Sequence, residues 1–195
     1  AKHDFILPIP TKFSFTQLRI YAENPFAYKL QFIYKVPSLG KAVFSYGSTI
    51  HITLQKFFQI LAQRSNSVQA DLFGNAAGAQ RDTPRPSAAL PVSWDELMAL
   101  YEESWIDDWY NDEANKKKMR AQGRERLKQF YEHLSASGTA PNVKALERPF
   151  NIKIGPYIIA GRIDRVDQLA DGTVRIIDYK TGNMFNKVNK SGMLK

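Results

Sequence analysis

Two aspartates and a lysine toward the end of the chain have the types and spacing of a metal-dependent hydrolytic site. Asp164 lies in the segment GRIDRVD (161–167), and Asp178 and Lys180 lie in RIIDYKTG (175–182). Alternation predicts a strand for each segment, so the side chains of Asp178 and Lys180 leave the sheet on the same face. A carboxylate and an ammonium group are therefore expected side by side.

The connection between these strands determines whether the two aspartates meet. A three-residue turn over 170–172, with Gly172 in the left-handed conformation, would place Asp164 opposite Asp178 with about 5 Å between their Cβ atoms. A two-residue turn would place them on opposite faces. Adjacent carboxylates repel each other unless a cation joins them, and oxygen ligands suit Mg²⁺ or Mn²⁺. The alternative is a solvated strand face with an ordinary ion pair.

A second turn would add a third acid to this row. If Gly155-Pro156 is a two-residue turn, Glu147 lies opposite Asp164. A shifted register would leave Glu147 on the surface. Lys180 cannot ligate a cation while it is protonated, and we expect it to stabilise an attacking hydroxide or the charge on a phosphate in the transition state. This combination indicates phosphodiester hydrolysis.

Composition predicts one folded domain that binds a polyanion. The chain has 195 residues, of which 44% are hydrophobic, a net charge of +8 and a pI near 9.6, which favours a nucleic-acid partner. No apolar run is long enough to span a bilayer and no secretory signal pattern is present, so we expect a cytoplasmic protein without a membrane partner. The absence of cysteine excludes disulfides and thiolate-ligated zinc or iron–sulfur sites within this chain.

Periodicity and capping signals predict the elements that position these residues. The segment 14–17 (SFTQ) begins a short helix that Asn24-Pro25 interrupts and that resumes to Tyr34. From Ser45 a clearer helix carries His51 on its buried face, where the alternative is a hydrogen-bonded core histidine. Further helices are predicted over 93–110 and 115–134, and strands over 145–154, 157–168 and 173–181. We expect an α/β fold with a mixed central sheet flanked by helices and an additional helical insertion.

Residues 64–92 are rich in Ser, Asn, Gly, Ala, Gln and Pro, which predicts a flexible insertion. Within it, Gln69-Ala70-Asp71-Leu72-Phe73 resembles the pentapeptide by which bacterial replication proteins bind the sliding clamp. The resemblance implies that Leu72 and Phe73 enter an apolar cleft while Gln69 forms hydrogen bonds. The alternative is that the two apolar residues pack back onto the domain.

Five elements in order resemble the RecB-like branch of the PD-(D/E)XK nuclease superfamily over about residues 13 to 182. They are the opening helices from Ser14 to Tyr28, Gly47-x-x-x-His51, Glu147, Gly161-x-x-Asp164-Arg165 and Asp178-Tyr179-Lys180-Thr181-Gly182. This branch occurs in modules fused to UvrD-type DNA helicases and in AddB-like proteins. The resemblance implies a restriction-endonuclease-like core, exonuclease-type DNA cleavage in repair or recombination, and a helicase domain or subunit as partner.

The resemblance also implies roles for individual residues. The metal ligands for Mg²⁺ or Mn²⁺ would be His51, Asp164, Asp178 and the backbone carbonyl of Tyr179. Lys180 would be the catalytic lysine, acting with Asp164 and Asp178, and Glu147 an auxiliary acid. Basic side chains would hold single- or double-stranded DNA by its backbone, although such a run is usually a solvated face. These basic residues are Arg162, Arg165, Lys116, Lys117 and Lys118.

Two departures from the family pattern bear on activity. Asn24-Pro25 stands where iron–sulfur members have Cys-Pro, so no cluster is expected. The family follows its lysine strand with a helix whose Gln and Tyr contact DNA, but residues 183–195 contain neither residue. The chain is therefore expected to be a fragment, or to have a reduced helix. The rival interpretations are a DNA-binding or scaffolding module that has lost cleavage, and an RNA-directed nuclease.

Overall fold

The computed structural model describes residues 10–73 and 90–181, with side chains for 10–65 and 90–181. The elements are β1 (Lys12–Ser14), α1 (Phe15–Glu23), α2 (Pro25–Tyr28), a π-helical turn (Lys29–Ile33), α3 (Ala42–Phe73), α4 (Trp94–Glu103), α5 (Glu113–Ala136), β2 (Val143–Ile154), β3 (Tyr157–Gln168) and β4 (Val174–Ile177). The predicted fold class is confirmed: a mixed four-stranded sheet is flanked by helices, as in a restriction-endonuclease-like core.

Strand β3 is the centre of the sheet. It pairs with β2 antiparallel along nearly its whole length, so β1 and β4 must share its other edge. Strand β1 runs parallel to residues 158–160, and β4 runs antiparallel to residues 165–168. Between these two pairings, residues 161–164 of β3 have no strand partner on that edge among the described residues. Asp164 lies at the end of this gap.

Both predicted turns are present. Leu169 donates a backbone hydrogen bond to Thr173 at 2.8 Å, and Gly172 has a left-handed φ of 83°, as a three-residue connection requires. At the other turn, Ile154 pairs with Tyr157. Both registers on which the row of acids depends are therefore confirmed.

The opening helices begin and break where capping predicts. Ser14 Oγ accepts from the Gln17 N–H at 3.2 Å, and Gln17 Oε1 accepts from the Ser14 N–H at 2.7 Å, which completes a capping box. Asn24 then ends α1 and caps α2 by accepting from the Ala27 N–H at 3.0 Å. Pro25 takes the first position of α2, where the missing N–H of a proline costs no helix hydrogen bond.

One face of α3 forms the core, as its periodicity predicts. Its buried residues pack against α4, α5 and the segment before α4. The buried core residues are Tyr46, Ile50, Leu54, Phe57, Phe58 and Leu61 from α3, with Val92, Leu97, Tyr101 and Leu127 from its neighbours. Since a helix that is apolar on one side is stabilised by covering that side, this packing fixes the rotation of α3 about its axis. His51 is therefore carried at the border of the core.

The predicted boundaries of the flexible insertion are wrong at both ends. Helix α3 continues to Phe73, and Val92 is fully buried and accepts a hydrogen bond from the Tyr131 hydroxyl at 3.0 Å. Core contacts thus begin before Ser93, which composition alone did not indicate. Residues 74–89 lie outside the described residues. The segment 69–73 has helical backbone rather than that of a linker, and its side chains Gln69, Leu72 and Phe73 lie outside the described ones.

Two elements are shorter than predicted. Helix α4 ends at Glu103 and not near Tyr110, because the Ile106 N–H bonds the Thr49 hydroxyl of α3 at 3.1 Å instead of continuing the helix. Strand β4 ends at Ile177, before Asp178. Within the described ranges, no helix combines the length and apolar character that a bilayer crossing requires.

We expect Phe57→Ala to lower the free energy of unfolding by about 3–5 kcal/mol, because it leaves a cavity at a fully buried position. Phe44→Ala, on the same helix but 65% exposed, should change it by less than about 1 kcal/mol. Urea denaturation followed by circular dichroism measures both. Equal effects of the two substitutions would show that this face of α3 is not the core.

Candidate metal centre

Three potential ligand side chains from three different elements converge on one point. His51 from α3, Glu147 from β2 and Asp164 from β3 each place a ligand atom within 4.8 Å of the others. His51 Nδ1 lies 3.5 Å from Asp164 Oδ1. Asp164 is buried, whereas the His51 and Glu147 side chains are partly exposed. The group is thus sheltered on one side and open on the other.

Glu147 reaches this group through an unusual backbone conformation. The pairs Leu146–Arg165 and Arg148–Ile163 flank it, so Glu147 lies opposite Asp164, as the turn register predicts. Its φ is +49°, a left-handed value that is rare for residues other than glycine, asparagine and aspartate. Such a conformation costs on the order of 1–3 kcal/mol and persists where surrounding contacts enforce it, often at functional sites. The sequence carries no signal for it.

The carboxylate of Asp164 is held by the chain that follows β4. The Tyr179 N–H donates a hydrogen bond to Asp164 Oδ2 at 2.6 Å, which leaves Oδ1 as the oxygen closest to His51. This bond explains why β4 stops early: the amide of Tyr179 bonds a side chain of β3 rather than its backbone.

Contacts from two helices hold residues 178–181 in place. A Cβ at Gly47 would lie 3.2 Å from Thr181 Oγ1, so the glycine one turn before His51 allows the segment to approach α3. Arg126 of α5 donates to the Thr181 carbonyl.

The Tyr179 ring lies edge-on to His51, with 6.0 Å between the ring centroids, and burial raises the pKa of the Tyr179 phenol. This phenol therefore stays neutral through the physiological pH range.

Asp178 and Lys180 form an ion pair with each other, as their shared face predicts. Their side chains are 53% and 74% exposed, and Asp178 is not one of the three residues that converge. Pairing in the sheet stops at Arg165–Ile177, one step before Asp164 and Asp178 would face each other. The structure therefore brings Glu147 into the group and leaves Asp178 beside it.

The structure does not support the predicted DNA contact of Arg165. Its guanidinium lies 3.9 Å from the centroid of the Phe58 ring and pairs with Asp167, at 3.0 Å between Nε and Oδ1. Only 7% of Arg165 is exposed, so a phosphate cannot reach it. The DNA contact was implied by the family resemblance, but Phe58 of α3 covers this arginine. Arg162, three residues earlier, is exposed and lies 3.5 Å from Glu147.

The basic run on α5 is partly neutralised. Lys116 pairs with Asp107 at 3.0 Å and with Glu113 at 2.7 Å, so its predicted role as a free phosphate contact is not supported. Lys117 and Lys118 are exposed. Of the two acids that neutralise Lys116, Glu113 lies in the first turn of α5, where a negative charge also favours the helix N-terminus.

Sequence reasoning missed two contributors to this centre. Asp167 appears in the motif GRIDRVD but received no role, and the repeated Arg-x-Asp spacing of this motif was the available signal. Arg126 received no separate role among its basic neighbours, because nothing local in α5 distinguishes the arginine that reaches Thr181.

The donor set fits a divalent cation. An imidazole nitrogen and two carboxylates suit Mn²⁺, and the carboxylates suit Mg²⁺. Asp164 and Glu147 repel each other when both are ionised, and a cation between them removes that repulsion. Within the described residues, this is the group that brings three such side chains together.

Comparison with known families supports this assignment. A family model described as the PD-(D/E)XK nuclease superfamily matches residues 12–192. This span covers every element of the sheet and all the residues of the centre. Among curated proteins, the search found no match.

Asp164→Asn should weaken Mn²⁺ binding by at least about 100-fold, the upper end of the loss caused by removing an outer-shell partner. The amide oxygen can still accept from the Tyr179 N–H, so the fold should be retained. Titration calorimetry with MnCl₂ on the full chain measures the effect. Asp171→Asn removes the same charge from the β3–β4 turn and should leave Mn²⁺ affinity unchanged. Equal affinities for both variants would rule out Asp164 as a ligand.

Proposed function

Because the chain belongs to the PD-(D/E)XK nuclease superfamily, we propose that it is a metal-dependent DNA nuclease of the RecB-like branch that hydrolyses phosphodiester bonds. The observation that carries the proposal is the convergence of His51, Glu147 and Asp164 within 4.8 Å. Three elements far apart in sequence contribute these side chains, and one of them adopts a strained backbone to do so. An ordinary core histidine or a solvated strand face does not account for that arrangement.

We propose that Mg²⁺ or Mn²⁺ is held by His51, Asp164 and Glu147, with Asp178 and the Tyr179 carbonyl as further ligands. The register supports Asp178, since extending the β3–β4 pairing by one step places it opposite Asp164. When bound, such a cation polarises a phosphate oxygen and lowers the pKa of a coordinated water. Glu147 and Asp164 would fix the position of the cation, and the Tyr179 N–H keeps one carboxylate oxygen of Asp164 in place.

Lys180 is proposed to stabilise the negative charge that develops on the phosphate during attack. Its ammonium pairs with the carboxylate of Asp178, two residues earlier in the chain. The exposure of Lys180, at 74% of its side chain, leaves it accessible to a substrate approaching from solvent. An ammonium that stays protonated is suited to this role and not to ligation.

DNA is proposed to lie along the exposed basic side chains. Arg162, with a side chain 64% exposed and next to Glu147, would hold a phosphate close to the centre. Lys117 and Lys118 would add backbone contacts farther away. Because these groups recognise phosphate and not bases, binding should be sensitive to salt and largely independent of sequence.

We further propose an exonuclease-type role in DNA repair or recombination, together with a helicase domain or subunit, in the cytoplasm. The support is the resemblance of the opening helices to RecB-like modules, together with their observed capping box and break at Asn24-Pro25. A sliding-clamp contact through residues 69–73 stays a prediction from sequence.

The second candidate function is a DNA-binding or scaffolding module without cleavage. One observation favours it: Asp178 pairs with Lys180 and is not one of the three converging residues. Cleavage assays with end-labelled single- and double-stranded DNA separate the two functions. Tight binding of metal and DNA without cutting would establish the scaffold.

Lys180→Met should reduce Mn²⁺-dependent cleavage by about 10²–10³-fold, the loss typical of removing one transition-state charge stabiliser, while Mn²⁺ affinity stays near native. End-labelled DNA with MnCl₂ or MgCl₂ measures cleavage, and calorimetry measures affinity. Lys56→Met is the matched control, because it also breaks the ion pair of a lysine with a carboxylate, that of Glu103 at 2.9 Å. Native cleavage by Lys180→Met would remove Lys180 from the mechanism.

Lys117→Gln/Lys118→Gln should reduce the slope of log affinity against log salt concentration by about 2, or about 1 for each phosphate contact. Lys116→Gln should change it less, since Asp107 and Glu113 already occupy that ammonium. Fluorescence anisotropy with labelled DNA at several salt concentrations measures the slopes. An unchanged slope in the double variant would exclude this end of α5 from the DNA path.

A further inference from the structure

Arg165 and Asp167 form a buried ion pair next to the metal centre, with one hydrogen bond between them. Arg165 Nε lies 3.0 Å from Asp167 Oδ1, and Nη2 donates to Oδ2 at 3.0 Å. The two residues are 7% and 3% exposed. For a buried ion pair, the free-energy cost of removing both charges from water is about as large as the gain from their attraction. Its presence is therefore weak evidence for a role in stability alone.

The remaining nitrogen of the guanidinium, Nη1, connects this pair to the proposed ligands. Arg165 Nη1 donates to the Tyr179 hydroxyl at 3.0 Å. Tyr179 in turn donates its backbone N–H to Asp164 at 2.6 Å and packs its ring edge-on to His51. A continuous series of contacts therefore runs from Asp167 to two members of the converging group.

We infer that Arg165, oriented by Asp167, is a positioning residue that holds Tyr179 so that the Tyr179 N–H fixes the carboxylate of Asp164 toward His51 and Glu147. This inference rests on the proposed metal site. It also gives Arg165 a role in place of the DNA contact that its burial excludes.

Charge repulsion at Asp164, and the lack of strand pairing after β4, explain why the Tyr179 amide needs to be held in place. Asp164 and Glu147 are two like charges facing each other across adjacent strands, and repulsion would turn the Asp164 side chain away from Glu147. Residues 178–181 lie beyond the end of β4 and lack ladder hydrogen bonds to hold the Tyr179 amide. Contacts of the Tyr179 side chain supply that constraint, because they anchor the residue between Arg165 and His51. Partners that orient metal ligands in this way commonly change metal affinity by 10–100-fold.

The Tyr179 hydroxyl is the decisive position for a test. Removing Arg165 would leave the Asp167 carboxylate buried without its partner, and that variant could fail to fold. Tyr179→Phe keeps the ring, its backbone N–H and its contact with His51, and removes only the acceptor for Arg165. Tyr131→Phe is the matched control, since it also removes a partly buried phenol hydrogen bond, to the Val92 carbonyl at 3.0 Å, and neither residue is a proposed ligand.

The experiment measures the Kd for Mn²⁺ by electron paramagnetic resonance of free Mn²⁺, and Tm by circular dichroism, on the full chain. We expect Tyr179→Phe and Arg165→Lys to raise the Kd about 10-fold, as loss of an outer partner does. Lysine keeps the charge beside Asp167 but cannot also reach the phenol with a second fixed donor. Tyr131→Phe should lower Tm and leave the Kd native.

The outcomes separate this inference from the function on which it rests. Native Kd values in Tyr179→Phe and Arg165→Lys, with Tm lowered as in Tyr131→Phe, would overturn the positioning role and leave the metal site standing. Absence of Mn²⁺ binding by the native chain at millimolar metal would overturn both. A raised Kd confined to Tyr179→Phe and Arg165→Lys would establish the positioning role.

Discussion

The hydrogen bond from the Tyr179 N–H to Asp164 Oδ2 is the contact on which the centre depends. It ends β4 after Ile177 because the Tyr179 amide bonds a side chain instead of the β3 backbone, and it turns the other oxygen of Asp164 toward His51. Because a charge-assisted hydrogen bond of this kind is shorter and stronger than a neutral one, a single contact sets both the end of the strand and the direction of the carboxylate.

The helices support this contact from one side. Helix α3 is oriented by its buried apolar face, and the same rotation places His51 beside Asp164 and Phe58 beneath the Arg165 guanidinium. Gly47 lets the chain after β4 approach the same helix, while Arg126 holds it from α5. The hydrophobic core therefore determines where the polar groups of the centre meet, although it contains none of their ligand atoms.

The acidic centre and the basic surface of the protein differ in charge. The chain carries a net charge of +8. At the centre, however, two acids and an imidazole lie close together, and this arrangement favours the binding of a cation. Several of the basic side chains on α5 are occupied by neighbouring acids, including Arg120 and Arg124 with Glu102. Fewer basic side chains of α5 are therefore free to contact a polyanion than the basic run in the sequence suggests. Arg162 lies 3.5 Å from Glu147 of the centre.

Local patterns in the sequence were sufficient for the fold class, both turn registers, the cap at Ser14 and the proximity of Glu147 to Asp164. These features depend on residues close together in sequence, or on turn geometry that fixes pairing between neighbouring strands. The tertiary structure alone decided which side of β3 is covered, and hence that Arg165 is buried. It also decided that Asp178 stands beside the group. Those outcomes follow from packing between segments distant in sequence, where the burial of a charge depends on a neighbour that no local pattern specifies.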